Sequence, residues 1–154
     1  MKEMEIRSLQ FDHLITFRTR DVKGNWLEGI KVMEDFTFNH EIYKNGPVFF
    51  SFEADSKRGN EGIFTYYLPI NEEVEFEENI TDFAYLKKFR LGRSLLLRQA
   101  HEEVDFNAAY KKIQAYAKGK NIPTEDSFVC MLLEVYGEYM IDLYVPLKER
   151  SGVQ

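Results

Sequence analysis

Asp12-His13-Leu14-Ile15-Thr16-Phe17-Arg18 and, 80 positions later, Gly92-Arg93-Ser94-Leu95-Leu96-Leu97-Arg98 are the two stretches on which the reading of the fold turns. Each is a short apolar run closed by an arginine, and each reads as a strand. The same slide lays Asn25 over Asp105 and Trp26 over Phe106, a helix-capping residue type followed by a large apolar side chain in both cases. Further along, the spacing shortens, with Pro47 meeting Pro123 and Pro69 meeting Pro146. The shrinking offset predicts a first helix about one turn longer than the second. Such a change keeps a buried stripe in register, because one turn holds about 3.6 residues.

The first helix is expected to start at Asn25, with Glu28 completing a capping box. It should bury Trp26, Ile30 and Met33 and stop before Asn45-Gly46-Pro47. The second is expected from Asp105 to Gly119, with Phe106, Ala109, Tyr110, Ile113, Tyr116 and Ala117 on one stripe. Two strands follow each helix. Val48 to Ala54 and Gly62 to Ile70 flank a polar loop, while Ser127 to Tyr136 and Tyr139 to Leu147 flank a tight turn at Gly137-Glu138. The acidic segment from Asn71 to Thr81 reads as the connection between halves, Lys87-Lys88-Phe89-Arg90 as a solvated linker, and Lys148 to Gln154 as a frayed tail. The fold class that follows is α+β. Two duplicated β-α-β-β modules, about residues 5–70 and 85–147 of a single domain spanning 1–154, form an antiparallel sheet with two helices on one face and a central cleft on the other.

Composition narrows the function. A chain of 154 residues with 44% hydrophobic and 15% aromatic residues carries enough apolar surface for one core. A net charge of -6 and the lack of a basic cluster argue against direct nucleic-acid binding, which needs grouped Lys and Arg to displace counterions. No run approaches the roughly 18 apolar residues that would span a bilayer, and Met1 to Glu5 holds no apolar signal segment, so cytoplasmic residence is expected. Cys130 lies in the apolar run Phe128 to Leu133 and reads as a small hydrophobe. His13, His40 and His101 lack metal-ligand spacing, so no metal, cofactor or catalytic residue is expected.

The sequence resembles the GyrI-like domains, also known as bacterial transcription-activator effector-binding domains, over essentially its whole length. The resemblance rests on Gly46-Pro47-Val48-Phe49, Leu68-Pro69-Ile70, Ala109-Tyr110, Glu134-Val135-Tyr136 and Val145-Pro146-Leu147, which stand in the family's order. The family's His-x-Gly lead is replaced by His101-Glu102-Glu103, and the turn before the last strand is short. With only about ten residues before the first strand, a stand-alone domain without a helix-turn-helix is expected. The resemblance implies a non-enzymatic protein that binds a small cationic or amphipathic molecule as a sensor or sequestering module, and it assigns Glu134 to the pocket.

Strand alternation adds a geometric expectation. Phe128, Cys130, Leu132, Glu134 and Tyr136 share one face and Val129, Met131, Leu133 and Val135 the other, so both faces are apolar and one should line a hollow. Glu134 would then be desolvated among aromatic residues, a cost of several kcal/mol unless it is paired or protonated. Tyr67 and Tyr144 correspond in the repeat and would wall the same hollow. The expected ligand-binding set is Glu134, Tyr136, Tyr67, Tyr144, Phe50, Phe52 and Tyr110. Asp142, between Met140 and Tyr144 on its face, reads as a solvated acid. Two other functions fit the same residues. One is an accessory protein of a bacterial secreted-toxin locus, with a protein partner; the other is a small hydrolase with Glu134 as general base beside Tyr136. Monomer and homodimer are both compatible with the sequence.

Overall fold

A computed structural model of the chain describes residues 4–55, 59–76, 82–99 and 106–148. Its elements are β1 (Glu5–Val22), a single 3-10 turn (Lys23–Asn25), α1 (Trp26–Asn39), β2 (Phe49–Ala54), β3 (Glu61–Pro69), β4 (Phe83–Gln99), α2 (Phe106–Gly119), β5 (Val129–Val135) and β6 (Glu138–Pro146). The order β-α-β-β thus occurs twice, and the fold is α+β. The chain divides into two compact units, residues 10–90 and residues 1–9 with 91–154; β1 and β4 each run from one unit into the other.

In the unit of residues 10–90, β3 is the middle strand, antiparallel to both β1 and β2. Phe17 and Phe50 both stand opposite Tyr66, and Phe52 stands opposite Phe64. Directly paired residues share a face, and α1 covers this one. Tyr66 is fully buried and donates its hydroxyl to the Trp26 carbonyl at 2.7 Å. Gly29 makes that contact sterically possible, since a Cβ there would fall 2.0 Å from the Tyr66 ring. The first part of β4 lies along β1, with Arg18 N–H donating to the Asp82 carbonyl at 3.1 Å and His13 hydrogen-bonded to Tyr85.

In the unit of residues 1–9 and 91–154, β6 is the middle strand between β4 and β5. Phe128 packs on Phe106 and Tyr110 of α2, with centroids 5.5 and 5.4 Å apart, so the stripe of Phe128, Cys130 and Leu132 faces the helix. The register repeats that of the other unit. Phe49 opposite Tyr67 corresponds to Val129 opposite Tyr144, and Leu14 opposite Pro69 to Ser94 opposite Pro146. Ile70 N–H to the His13 carbonyl likewise matches Leu147 N–H to the Arg93 carbonyl.

Several expectations are corrected. Over the described residues the helices are equally long, 14 residues each. The spacing of 80 persists from Trp26 and Phe106 to Phe49 and Val129, then shortens in the hairpins, Ala54–Glu61 against Val135–Glu138. Pro47 and Pro123 therefore do not correspond, whereas Pro69 and Pro146 do. α1 ends at Asn39, well before Asn45-Gly46-Pro47, because Glu41 takes a left-handed conformation (φ 53°) and closes a Schellman cap, with Ile42 N–H on the Thr37 carbonyl. Asn121 (φ 57°) and Ile122 do the same after α2. Asn25 precedes α1 but makes no side-chain cap; its amide donates to Asp21 instead. The tight turn is Tyr136-Gly137, with φ of 53° and 80°, as a two-residue turn of opposite hand requires. Lys87-Lys88-Phe89-Arg90 belongs to β4. Asp105, His101-Glu102-Glu103, residues 77–81 of the acidic connection and residues 149–154 of the tail lie outside the described residues.

Candidate functional site

The seven residues expected at a site fall into different surroundings. Phe50 and Phe52 lie under α1 as core: Phe50 is fully buried with Trp26 stacked at 5.9 Å, and Phe52 packs on Phe64 at 4.6 Å. Their strand face is the one the helix covers. Glu134 and Tyr136 are exposed, Tyr136 completely. Glu134 shares the helix-facing stripe of β5 but sits near its end, next to the turn, and water solvates it; the desolvated acid expected there is not found. Tyr110 is half-buried on α2 against Phe128, and burial is the main cause raising its hydroxyl pKa.

Tyr67 and Tyr144 occupy corresponding positions on the sheet faces turned away from the helices. Tyr67 stacks on Phe49 at 4.9 Å and contacts Phe89 at 4.8 Å, while Phe11 stacks on the other partner, Phe49, at 5.3 Å. Burial raises the Tyr67 pKa, partly opposed by its hydrogen bond to Ser51. Phe49 is fully buried, so this aromatic group is packed although no helix covers it.

Tyr144 has a different neighbour. On β6, Asp142 shares its face, standing opposite Met131 of β5 and Arg98 of β4. Only 4% of Asp142 is exposed, among Val129, Met131, Leu96 and Tyr144, each buried in turn. A carboxylate taken out of water costs several kcal/mol unless partnered. Burial accordingly pushes the Asp142 pKa up, with Arg98 pulling it part of the way back. The two lie 3.5 Å apart, from Arg98 Nε to Asp142 Oδ2, and the guanidinium side chain is 64% exposed against 6% for the carboxylate. A buried acid thus reaches the surface through a solvent-facing cation. Burial, reinforced by the Asp142 charge, also raises the Tyr144 pKa.

Sequence reasoning placed the buried acid at Glu134 and read Asp142 as solvated. The usable signal was the run Tyr139-Met140-Ile141-Asp142-Leu143-Tyr144-Val145, an acid at the centre of an otherwise apolar strand, whereas Glu134 adjoins a turn. Cys130 is buried, and burial raises its thiol pKa far above the ordinary range, which suits packing rather than nucleophilic chemistry. Among the described residues no group of three or more His, Cys, Asp or Glu is arranged to hold a metal ion, and no helix is long and apolar enough to cross a membrane.

The fold defines a class: an α+β protein of two β-α-β-β segments, each with a helix on one face of a three-stranded antiparallel set. No protein-family model and no curated protein matches the sequence. Solved structures do match. The C-terminal domain of EcmrR aligns over 96% of this chain and 99% of its own length with a TM-score of 0.67 at 9% identity. SAV2435, in a structure bound to tetraphenylphosphonium, aligns over 96% of this chain and 94% of its own at a TM-score of 0.57 and 10% identity. A hydrolase from Listeria innocua aligns over 96% and 94% at 0.55 and 7% identity. At such identities the likeness is one of fold. In fold as in sequence pattern, the chain resembles the GyrI-like effector-binding domains.

Proposed function

We propose that this protein is a non-enzymatic GyrI-like domain, with pseudo-repeats at about 5–70 and 85–147, that binds a small amphipathic cation. The observation that carries the reading is the buried Asp142 carboxylate beside Tyr144, whose ion-pair partner among the described residues is the exposed Arg98. A lipophilic cation can take the place of the Arg98 guanidinium, supplying the same charge together with an aromatic or aliphatic body that arginine lacks. The tetraphenylphosphonium held by SAV2435 supports the choice of ligand class.

The reading is tested by calorimetric titration with tetraphenylphosphonium. Asp142→Asn is expected to weaken binding at least about tenfold, the loss of one charge-assisted contact. Arg98→Ala is expected to strengthen it, because the carboxylate no longer has a resident partner. Unchanged affinity in both variants would exclude Asp142 from the site.

A second reading, a protein partner, has its own observation. On α1, Phe38 is 85% exposed and shares a stripe with the partly exposed Leu27, and Tyr43 just beyond is 75% exposed. Native mass spectrometry of protein from its source separates the two: a retained small molecule supports the first reading, a co-purifying chain the second.

A further inference from the structure

A groove of about 710 Å³ runs beside α2, in the unit of residues 1–9 and 91–154, lined by none of the seven residues expected from the sequence. Its volume is in the range of small-molecule sites. Leu96 and Leu97 of β4, Ala115 of α2 and Met4 give it an apolar lining. Its charge is one-sided: Lys112, Lys120 and Arg98 contribute cations and Glu5 the acid. Glu5 is already paired with Arg7 at 3.1 Å, and Arg98 with Asp142. Among the described residues Lys112 and Lys120 have no acidic partner, and Lys120 Nζ lies over the Tyr116 ring at 6.0 Å.

The protein is acidic overall, so two lysines with no acidic partner among the described residues, set at an apolar groove, run against its average charge. A helix carboxyl end, where Gly119 and Lys120 lie, ordinarily repels anions through its free carbonyls. Here the carbonyls of Tyr116, Ala117 and Lys118 are already engaged by the N–H groups of residues 120–122, which reduces that repulsion. We infer that this groove is a binding site for a small amphipathic anion, an aliphatic or aromatic body seated on Leu96, Leu97 and Ala115 with a carboxylate or similar head between Lys112 and Lys120. It is opposite in sign to the proposed Asp142 site, with which it shares Leu96 and Arg98 as a border.

Sodium decanoate is the probe, titrated calorimetrically into the full chain below its micellar range. Wild type is expected to bind saturably. Lys112→Glu with Lys120→Glu, both at exposed positions, is expected to weaken binding at least about tenfold, and Ala115→Trp, which fills the groove from an exposed helix position, to abolish it. The Lys112→Glu, Lys120→Glu variant, which leaves Arg98 and Leu96 in place, is expected to bind tetraphenylphosphonium no more weakly than wild type, which separates the two sites. No binding to wild type, equal affinity for decanol, affinity unmoved by the substitutions, or binding only to anionic phospholipid vesicles would each overturn the inference. Far-ultraviolet circular dichroism of each variant verifies that the fold persists.

Discussion

Replacing Gly29 by alanine tests the packing of α1 on its sheet with opposing effects of known sign. In a helix interior the substitution by itself favours the folded state by about 1 kcal/mol. The structure reverses that sign. The new methyl would meet Tyr66 Cε1 at 2.0 Å and Cζ at 2.1 Å, where carbon atoms need about 3.5–4.0 Å. The ring has no room to retreat, since Phe17, Phe50 and Phe64 lie against it and no part of it is exposed. Overpacking costs about 1–3 kcal/mol. Displacing the ring also breaks the Tyr66 to Trp26 hydrogen bond inside the core, for about 1–3 kcal/mol more. A net destabilisation of about 1–5 kcal/mol is expected after the helix gain. Urea unfolding followed by fluorescence of the single Trp26 measures it, as a lower midpoint at unchanged slope. Tyr66→Phe alone should cost about 1 kcal/mol, and less in the Gly29→Ala background, where the bond is already lost. A Gly29→Ala protein as stable as wild type would refute the packing described here.

Other outcomes follow from the same structure. Glu41→Gly should stabilise the protein by about 0.5–1 kcal/mol, because a left-handed residue with a Cβ is strained and glycine is not; thermal melts would show a higher midpoint, and a lower one would contradict the Schellman cap. The folded Asp142 carboxyl holds its proton more tightly than the unfolded one, so its contribution is fully present below the ordinary value of 3.8 and is lost as pH rises through the raised folded value. Unfolding midpoints across that window should fall with pH in wild type relative to Asp142→Asn, and parallel curves would remove the effect. Cys130 should resist a thiol reagent in the native state and react on unfolding, so rapid native labelling would contradict its burial.

Much of the fold was readable because the apolar residues alternate or recur at helical spacing where one face is covered. The expected bounds of β2, β3, β5 and β6 lie within two residues of the observed ones. β1 and β4 were read as about seven residues each and extend to 18 and 17. Their additional residues include polar side chains that pair across strands, as Lys88 with Asp12 and Arg90 with Gln10, which interrupt the apolar pattern there. α1 stops before Asn45-Gly46-Pro47 as expected but several residues earlier, because Glu41 takes a positive φ that glutamate seldom adopts and closes the Schellman cap.

At the site, the correspondence of Tyr67 with Tyr144 was legible from the repeat, and the paired registers carry it. The acid was not. Alternation told which residues share a face but not which face the helix would take. Phe128 against Phe106 and Tyr110 settles this, placing the stripe of Glu134 toward α2 and that of Asp142 away from it. Distance from the turn then decides solvation, since Glu134 adjoins it and Asp142 lies in the middle of β6.

Titrating tetraphenylphosphonium into isotopically labelled protein, with backbone amide shifts followed by nuclear magnetic resonance, examines the central claim most directly. The account expects saturable shifts centred on residues 140–144 of β6 and 96–98 of β4, absent in Asp142→Asn. Shifts that leave those residues unmoved, or that persist unchanged in Asp142→Asn, would contradict it.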